Sequence, residues 1–194
     1  MNVAIVKYNA GNVQSVTNSL LRLGIEPVLT DDPQILLAAD KVIFPGVGEA
    51  SSAMSYLRHR GLDTAIRALR QPVLAVCLGM QLLFETSAEN DTVCMGILPG
   101  KVSRFQDGHL KVPHIGWNQV SDSRSPLFDG VVEDSRVYFV HSYFVEAGKQ
   151  TIATTTYGTT FSAAIAHENF YGVQFHPEKS GRVGSRILEN FLKI

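Results

Sequence analysis

Along the first half of the chain, short continuous apolar runs alternate with stretches whose apolar residues recur every three or four positions. Residues 3–7 form such a run and predict a strand. Residues 12–23 then carry Val13, Val16, Leu20 and Leu23 at helical spacing, and Gly24 stops them. Strands are predicted again at 25–29, 41–44 and 72–76. Helices are predicted at 33–39, at 49–70 with a break at Gly61, and at 78–86. Strands separated by helices fit a parallel sheet covered on both faces.

After Gly96 the texture changes. Strand-like segments at 102–105, 115–120, 136–145, 151–157, 161–167 and 170–175 follow with few helical stretches between them. They predict an antiparallel extension and a return to the main sheet. A last amphipathic helix is expected over 183–192, with Ile187, Leu188, Phe191 and Leu192 as its apolar stripe. The fold class is therefore α/β: a mostly parallel central sheet, flanking helices and an antiparallel extension. The 194 residues show no repeat, no low-complexity tract and no dividing linker, so a single domain over 1–194 is expected.

Charge and composition narrow the function. Seventeen basic side chains face 18 acidic ones, for a formal charge of −1, and no basic run occurs, so nucleic acid is not an expected partner. No apolar run approaches the roughly 18–20 residues of a membrane span, and no membrane partner is expected. The first eight residues read as a strand and not as a secretory leader. Two cysteines, Cys77 and Cys94, make no disulfide framework. A reduced, cytoplasmic enzyme is the expectation. No cluster has zinc-ligand spacing, no serine elbow or phosphate loop is present, and no metal or cofactor is expected.

Cys77 falls where the strand at 72–76 meets the next helix, in Ala75-Val76-Cys77-Leu78-Gly79. A nucleophile elbow needs that arrangement: a strand, one sharply turned residue, a helix, and small neighbours at −2 and +2. The helix start offers free N–H groups that favour a thiolate, and the N–H of Leu78 is placed to donate to an oxyanion. Losing such a donor costs about 2.7–4 kcal/mol elsewhere. Taken alone, Cys77 reads equally well as a buried hydrophobe that ends a strand. Cys94 has no such context and reads as structural.

About a hundred residues later the chain has Phe175-His176-Pro177-Glu178. In extended backbone, residues two apart point the same way, so Glu178 is expected beside the His176 ring. The imidazole then takes the thiol proton, and the carboxylate holds its tautomer. Alone, His-Pro-Glu reads as an exposed loop; paired with the elbow it reads as a Cys-His-Glu site. His141 is the strongest rival base and is expected as pocket lining or core. His59, His109, His114 and His167 are weaker. Pro45-Gly46-Val47-Gly48 follows the third strand; it fits the second half of an oxyanion hole better than a dinucleotide loop, and also fits an ordinary turn.

These three motifs together resemble the class I, triad-type glutamine amidotransferases, whose fold is flavodoxin-like. Val112-Pro113-His114-Ile115-Gly116-Trp117-Asn118, Tyr138-Phe139-Val140-His141-Ser142-Tyr143 and residues 170–181 narrow the resemblance. With the chain length, they resemble the glutaminase subunits of imidazole glycerol phosphate synthases. The resemblance implies glutamine as substrate, Cys77, His176 and Glu178 as the triad, and Leu78, Val47 and Gly48 around the oxyanion. It implies Gln81, Glu89, His141, Ser142 and Tyr143 around the bound glutamine. It also implies a heterodimer with a (β/α)₈-barrel cyclase, contacted through the regions of Asn12, Trp117, Tyr138 and Lys179. Ala75 departs from the family, which more often has glycine there; a slightly tighter elbow is expected. A glutaminase of pyridoxal phosphate or anthranilate synthesis, or a redox sensor using Cys77, are the alternatives.

Overall fold

A seven-stranded sheet organises the chain. The computed structural model describes residues 1–9, 13–106, 108 and 110–194. The first half alternates as expected: β1 (Val3–Val6), α1 (Val13–Arg22), β2 (Val28–Thr30), α2 (Pro33–Ala38), β3 (Lys41–Phe44), α3 (Ala50–His59), α4 (Leu62–Ala68), β4 (Val73–Val76) and α5 (Leu78–Gln81). β1, β3 and β4 are buried along their whole length, as continuous apolar runs between two helical layers must be. The second half contributes β5 (Thr86–Ser87), β6 (Thr92–Val93), β7 (Lys101–Arg104), β8 (His114–Gln119), β9 (Arg136–His141), β10 (Tyr143–Val145), β11 (Thr151–Tyr157), β12 (Thr159–His167), β13 (Phe170–Val173) and α6 (Gly181–Lys193).

The main sheet runs in the order β11-β12-β13-β4-β3-β1-β2. The five strands from β13 to β2 are parallel, and β12 and β11 extend them antiparallel. Two small sheets, β10-β7-β5-β6 and β8-β9, complete the molecule. β4 alternates its side chains between two cores: Val73 and Ala75 join Phe44, Leu57 and Phe84 on one face, while Leu74 and Val76 join Phe139, Phe175 and Phe191 on the other.

The insertion of β13 beside β4 matters most for function. Val173 is in register with Val76, so whatever follows either strand emerges at the same end of the sheet. That is the carboxyl end of the parallel strands, where open α/β sheets place their ligands.

Three expected elements are shorter, split or displaced. The helix expected over 78–86 ends at Gln81, because Leu82, Leu83 and Phe84 give their carbonyls to the amides of residues 95–98 and Glu85 N pairs with Gly100 O. The strand expected over 136–145 divides at Ser142: β9 pairs with β8, whereas β10 pairs with β7. The strand expected over 25–29 begins only at Val28.

Candidate active site

Cys77 follows β4 directly and has φ 53° and ψ −112°, a backbone conformation that side-chain-bearing residues seldom adopt. The surroundings hold it there. Its N–H donates to Val173 O at 2.7 Å and its carbonyl accepts from Gln81 N at 3.2 Å. Gly79 lies so close to β3 that a Cβ there would overlap the Phe44 carbonyl, and a Cβ at Gly46 would overlap Gly79 N. The small residue at +2 is therefore required by the approach of the loop after β3. Ala75 is buried and pairs across the sheet with Gly172.

His176 emerges beside Cys77 in extended backbone (φ −100°, ψ 98°), and Pro177 starts the short turn that brings Glu178 back. His176 Nδ1 donates to Glu178 Oε1 at 2.8 Å, with both side chains buried. The other ring nitrogen, Nε2, is buried and makes no hydrogen bond. Burial opposes charge on this imidazole, but negative charge at Cys77 and the Glu178 carboxylate outweigh it and raise His176 to about 10. Cys94 is buried as well, and desolvation lifts its thiol to about 11.

A cavity of about 290 Å³ opens over the elbow. Its lining brings together Cys77 and His176 with Val47, Gly48, Leu78, Gln81, Glu89, His141, Ser142 and Tyr143, and adds Pro113 and Val140. Glu178 stands behind the His176 ring, outside that lining. The Leu78 N–H donates to Gly46 O at 3.3 Å, so the loop after β3 occupies one donor of the expected oxyanion hole. Tyr8 Oη holds the same loop from below by donating to Pro45 O at 2.7 Å. Gly48 has φ 107°, which only glycine adopts readily.

Polar groups around the cavity are organised in one direction. His141 Nδ1 donates to Tyr143 O at 2.8 Å, which leaves Nε2 as the acceptor for His114 Nδ1 at 2.9 Å. Burial pushes His114 down to about 4 and His141 to about 3, so both are neutral at pH 7. His141 lines the cavity, with both ring nitrogens already engaged. Glu89 reaches the cavity while its Oε2 accepts from Ala50 N at 2.7 Å at the start of α3. Burial raises its pKa, the Ala50 hydrogen bond opposes this, and Glu49 adds to it.

His59 is exposed on α3, and His167 pairs with Phe170 at the opposite end of β13 from His176. His109 and Asn12 lie outside the described residues. Trp117 and Tyr138 pair in register between β8 and β9 with ring centroids 6.1 Å apart, and Lys179 Nζ lies 5.8 Å from the Tyr138 ring. This surface joins the triad through the backbone, because His176 N donates to Tyr138 O at 2.9 Å. One buried polar residue went unnoticed in the sequence: Gln174, whose Nε2 lies 3.5 Å from Cys77 Sγ. Its signal was a polar residue inside an otherwise apolar strand end, at i−2 from His176.

Comparison with known proteins gives a consistent result. The family model described as "Glutamine amidotransferase class-I" matches residues 4–194. An "Imidazole glycerol phosphate synthase subunit HisH" from Bacteroides fragilis is 53% identical over 196 residues, covering all of both chains. The protein of the same name from Haemophilus influenzae is 46% identical over 194 residues, covering 100% of this chain and 98% of its own. Among solved structures, a "glutamine amidotransferase" superposes with a TM-score of 0.77 at 19% identity, covering 99% of this chain and 98% of its own. PurLQS from Thermotoga maritima superposes with a TM-score of 0.74 at 18% identity, covering 99% and 97%. These last two likenesses show the fold alone.

Proposed function

The chain belongs to the class-I glutamine amidotransferase family, and on that premise we propose that it is the glutaminase subunit of an imidazole glycerol phosphate synthase, acting in histidine biosynthesis. The observation that carries the reading is the strained Cys77 at the floor of a cavity, with the buried His176–Glu178 pair beside it. The full-length relatives supply the pathway.

The chemistry follows from the geometry. Cys77 Sγ attacks the side-chain amide carbon of glutamine after its proton has passed to His176 Nε2. The resulting oxyanion is met by backbone N–H groups at Leu78 and the Val47–Gly48 loop. Because Leu78 N is engaged by Gly46 O, the loop has to move for that donor to turn to substrate. Collapse of the intermediate breaks the C–N bond; His176 gives its proton to the leaving nitrogen, and ammonia departs. Water, deprotonated by His176, then cleaves the γ-glutamyl thioester to glutamate and free Cys77. Glu178 holds the ring and offsets its charge throughout. Gln81, Glu89, His141, Ser142 and Tyr143 surround the amino-acid substrate.

Ammonia released into water is mostly protonated and no longer nucleophilic. A useful glutaminase therefore delivers it shielded, to an acceptor site on a partner chain. The acceptor chemistry belongs to a (β/α)₈-barrel cyclase that forms a heterodimer with this chain, received on the face of Trp117, Tyr138 and Lys179.

The test is glutamate release from glutamine by the chain alone, and with the barrel cyclase and its ribonucleotide substrate, with Cys77→Ala as control. Strong stimulation that vanishes in Cys77→Ala supports the reading. Turnover indifferent to the cyclase keeps the glutaminase and moves it to another acceptor pathway. No glutamate from a folded, assembled pair overturns it.

A further inference from the structure

The sulfur of Cys77 has a neighbour that the triad leaves unused. Gln174 lies between the end of β13 and His176, has no exposed surface, and brings Nε2 to 3.5 Å from Cys77 Sγ. An amide can be turned either way, so its other contacts decide which end faces the sulfur. The Tyr143 carbonyl only accepts; it receives His141 Nδ1 at 2.8 Å and Gln81 Nε2 at 2.9 Å. Gln81 therefore presents its NH₂ group. That same nitrogen lies 2.9 Å from Gln174 Oε1, so Gln174 gives its oxygen to Gln81 and only hydrogens remain for the sulfur.

An N–H aimed at sulfur favours the thiolate over the thiol. It also steers the proton, because Gln174 offers no acceptor on that side. The thiol hydrogen is left with the Val140 carbonyl, 3.8 Å away, or the buried, unpartnered Nε2 of His176. The chain bends at Gln174 and Phe175 just past β13, and Gln174 reaches the Cys77 sulfur while Phe175 is buried in the core with Phe139 and Phe191.

We propose that Gln174 is a hydrogen-bond donor to the Cys77 sulfur that stabilises its thiolate and directs its proton to His176, with Gln81 and the Tyr143 carbonyl fixing the amide's orientation. This rests on reading Cys77 as the nucleophile. The same N–H serves again when the thioester breaks and the sulfur regains its charge.

The experiment is the pH dependence of Cys77 alkylation by iodoacetamide, followed by mass spectrometry on the purified chain. Gln174→Met keeps the length and removes the N–H. Folded Gln174→Met should be alkylated about tenfold more slowly at neutral pH, with its profile moved to higher pH, as expected for a lost hydrogen bond to a charged group. Gln174→Glu, which places an acceptor there, should be slower still. An unchanged profile in folded Gln174→Met overturns the proposal. Should neither variant fold, the side-chain amide resonances of Gln174 in the unmodified chain decide: they must shift as Cys77 titrates, and fixed resonances overturn it. Alkylation needs no glutamine, so a chain that releases no glutamate but shows the Gln174→Met shift loses the glutaminase reading and keeps this one.

Discussion

His176 Nδ1 and Glu178 Oε1 lie 2.8 Å apart with both side chains only 2% exposed. Burial disfavours charge on either group, so the pair survives as ions only because each is next to an opposite charge. Glu178→Gln keeps the shape and removes that charge. His176, raised to about 10 first by Cys77 and then by Glu178, should then lose the part of that elevation that Glu178 supplies. Glutamate release should fall by a hundredfold or more, which is roughly what general acid–base catalysis contributes. Steady-state kinetics across pH checks this; a variant with the original rate would remove Glu178 from the machinery.

Gly184 of α6 packs directly on the turn that carries the pair. A Cβ there would overlap the Pro177 carbonyl, and it would lie 2.9 Å from Pro177 Cα. Alanine would otherwise favour the helix by about 0.5–1 kcal/mol. Overpacking against backbone costs about 1–3 kcal/mol and wins. Gly184→Ala should therefore lower Tm by several degrees, at ~2–4 °C per kcal/mol for a chain of this size. It should also slow glutamate release, because Pro177 moves with His176 and Glu178. A higher Tm with full activity would show that α6 shifts to make room.

The parallel half of the sheet was readable because its strands are continuous apolar runs with helical periodicity between them. The elbow was readable because strand, Cys77, helix and small neighbours are contiguous. What could not be read were pairings made at long range. Leu82–Phe84 continue a helical pattern, yet their carbonyls are claimed by residues 95–98. Ser142 breaks a strand only because β9 and β10 have different partners. Gln174 looked like any strand residue until the order of the sheet placed it over Cys77, 97 positions earlier.

The histidine pair gives a pH signature. His114 and His141 are pushed by burial to about 4 and about 3, below the ordinary value of 6.5. Between those limits the unfolded chain binds more protons than the folded one, so stability rises with pH across that window. Lowering pH from 6.5 toward 4 should thus lower the unfolding free energy by at most about 1.4 kcal/mol per pH unit for each histidine, and Tm with it. His114→Gln should flatten the fall in a thermal-unfolding series. Equal slopes in both proteins would assign the acid sensitivity to other groups.

The face of β8 and β9 next to the triad tests the partner. Ile115 and Trp117 point outward from β8 and are 60% and 52% exposed, large apolar surface for a free strand. Trp117 makes an edge contact with Tyr138, over which Lys179 lies, and Tyr138 O is hydrogen-bonded to His176 N. Aromatic and cationic groups of this kind carry most of the energy of interfaces, whereas an exposed side chain contributes little to folding. Trp117→Ala should therefore leave Tm within a degree or two and weaken binding to the barrel cyclase by about tenfold or more, measured by calorimetry. Because the same strand pair holds the His176 amide, cyclase-stimulated glutamate release should fall with that affinity and return as cyclase is raised to saturation. Unchanged affinity with an unchanged Tm would place the cyclase on another face.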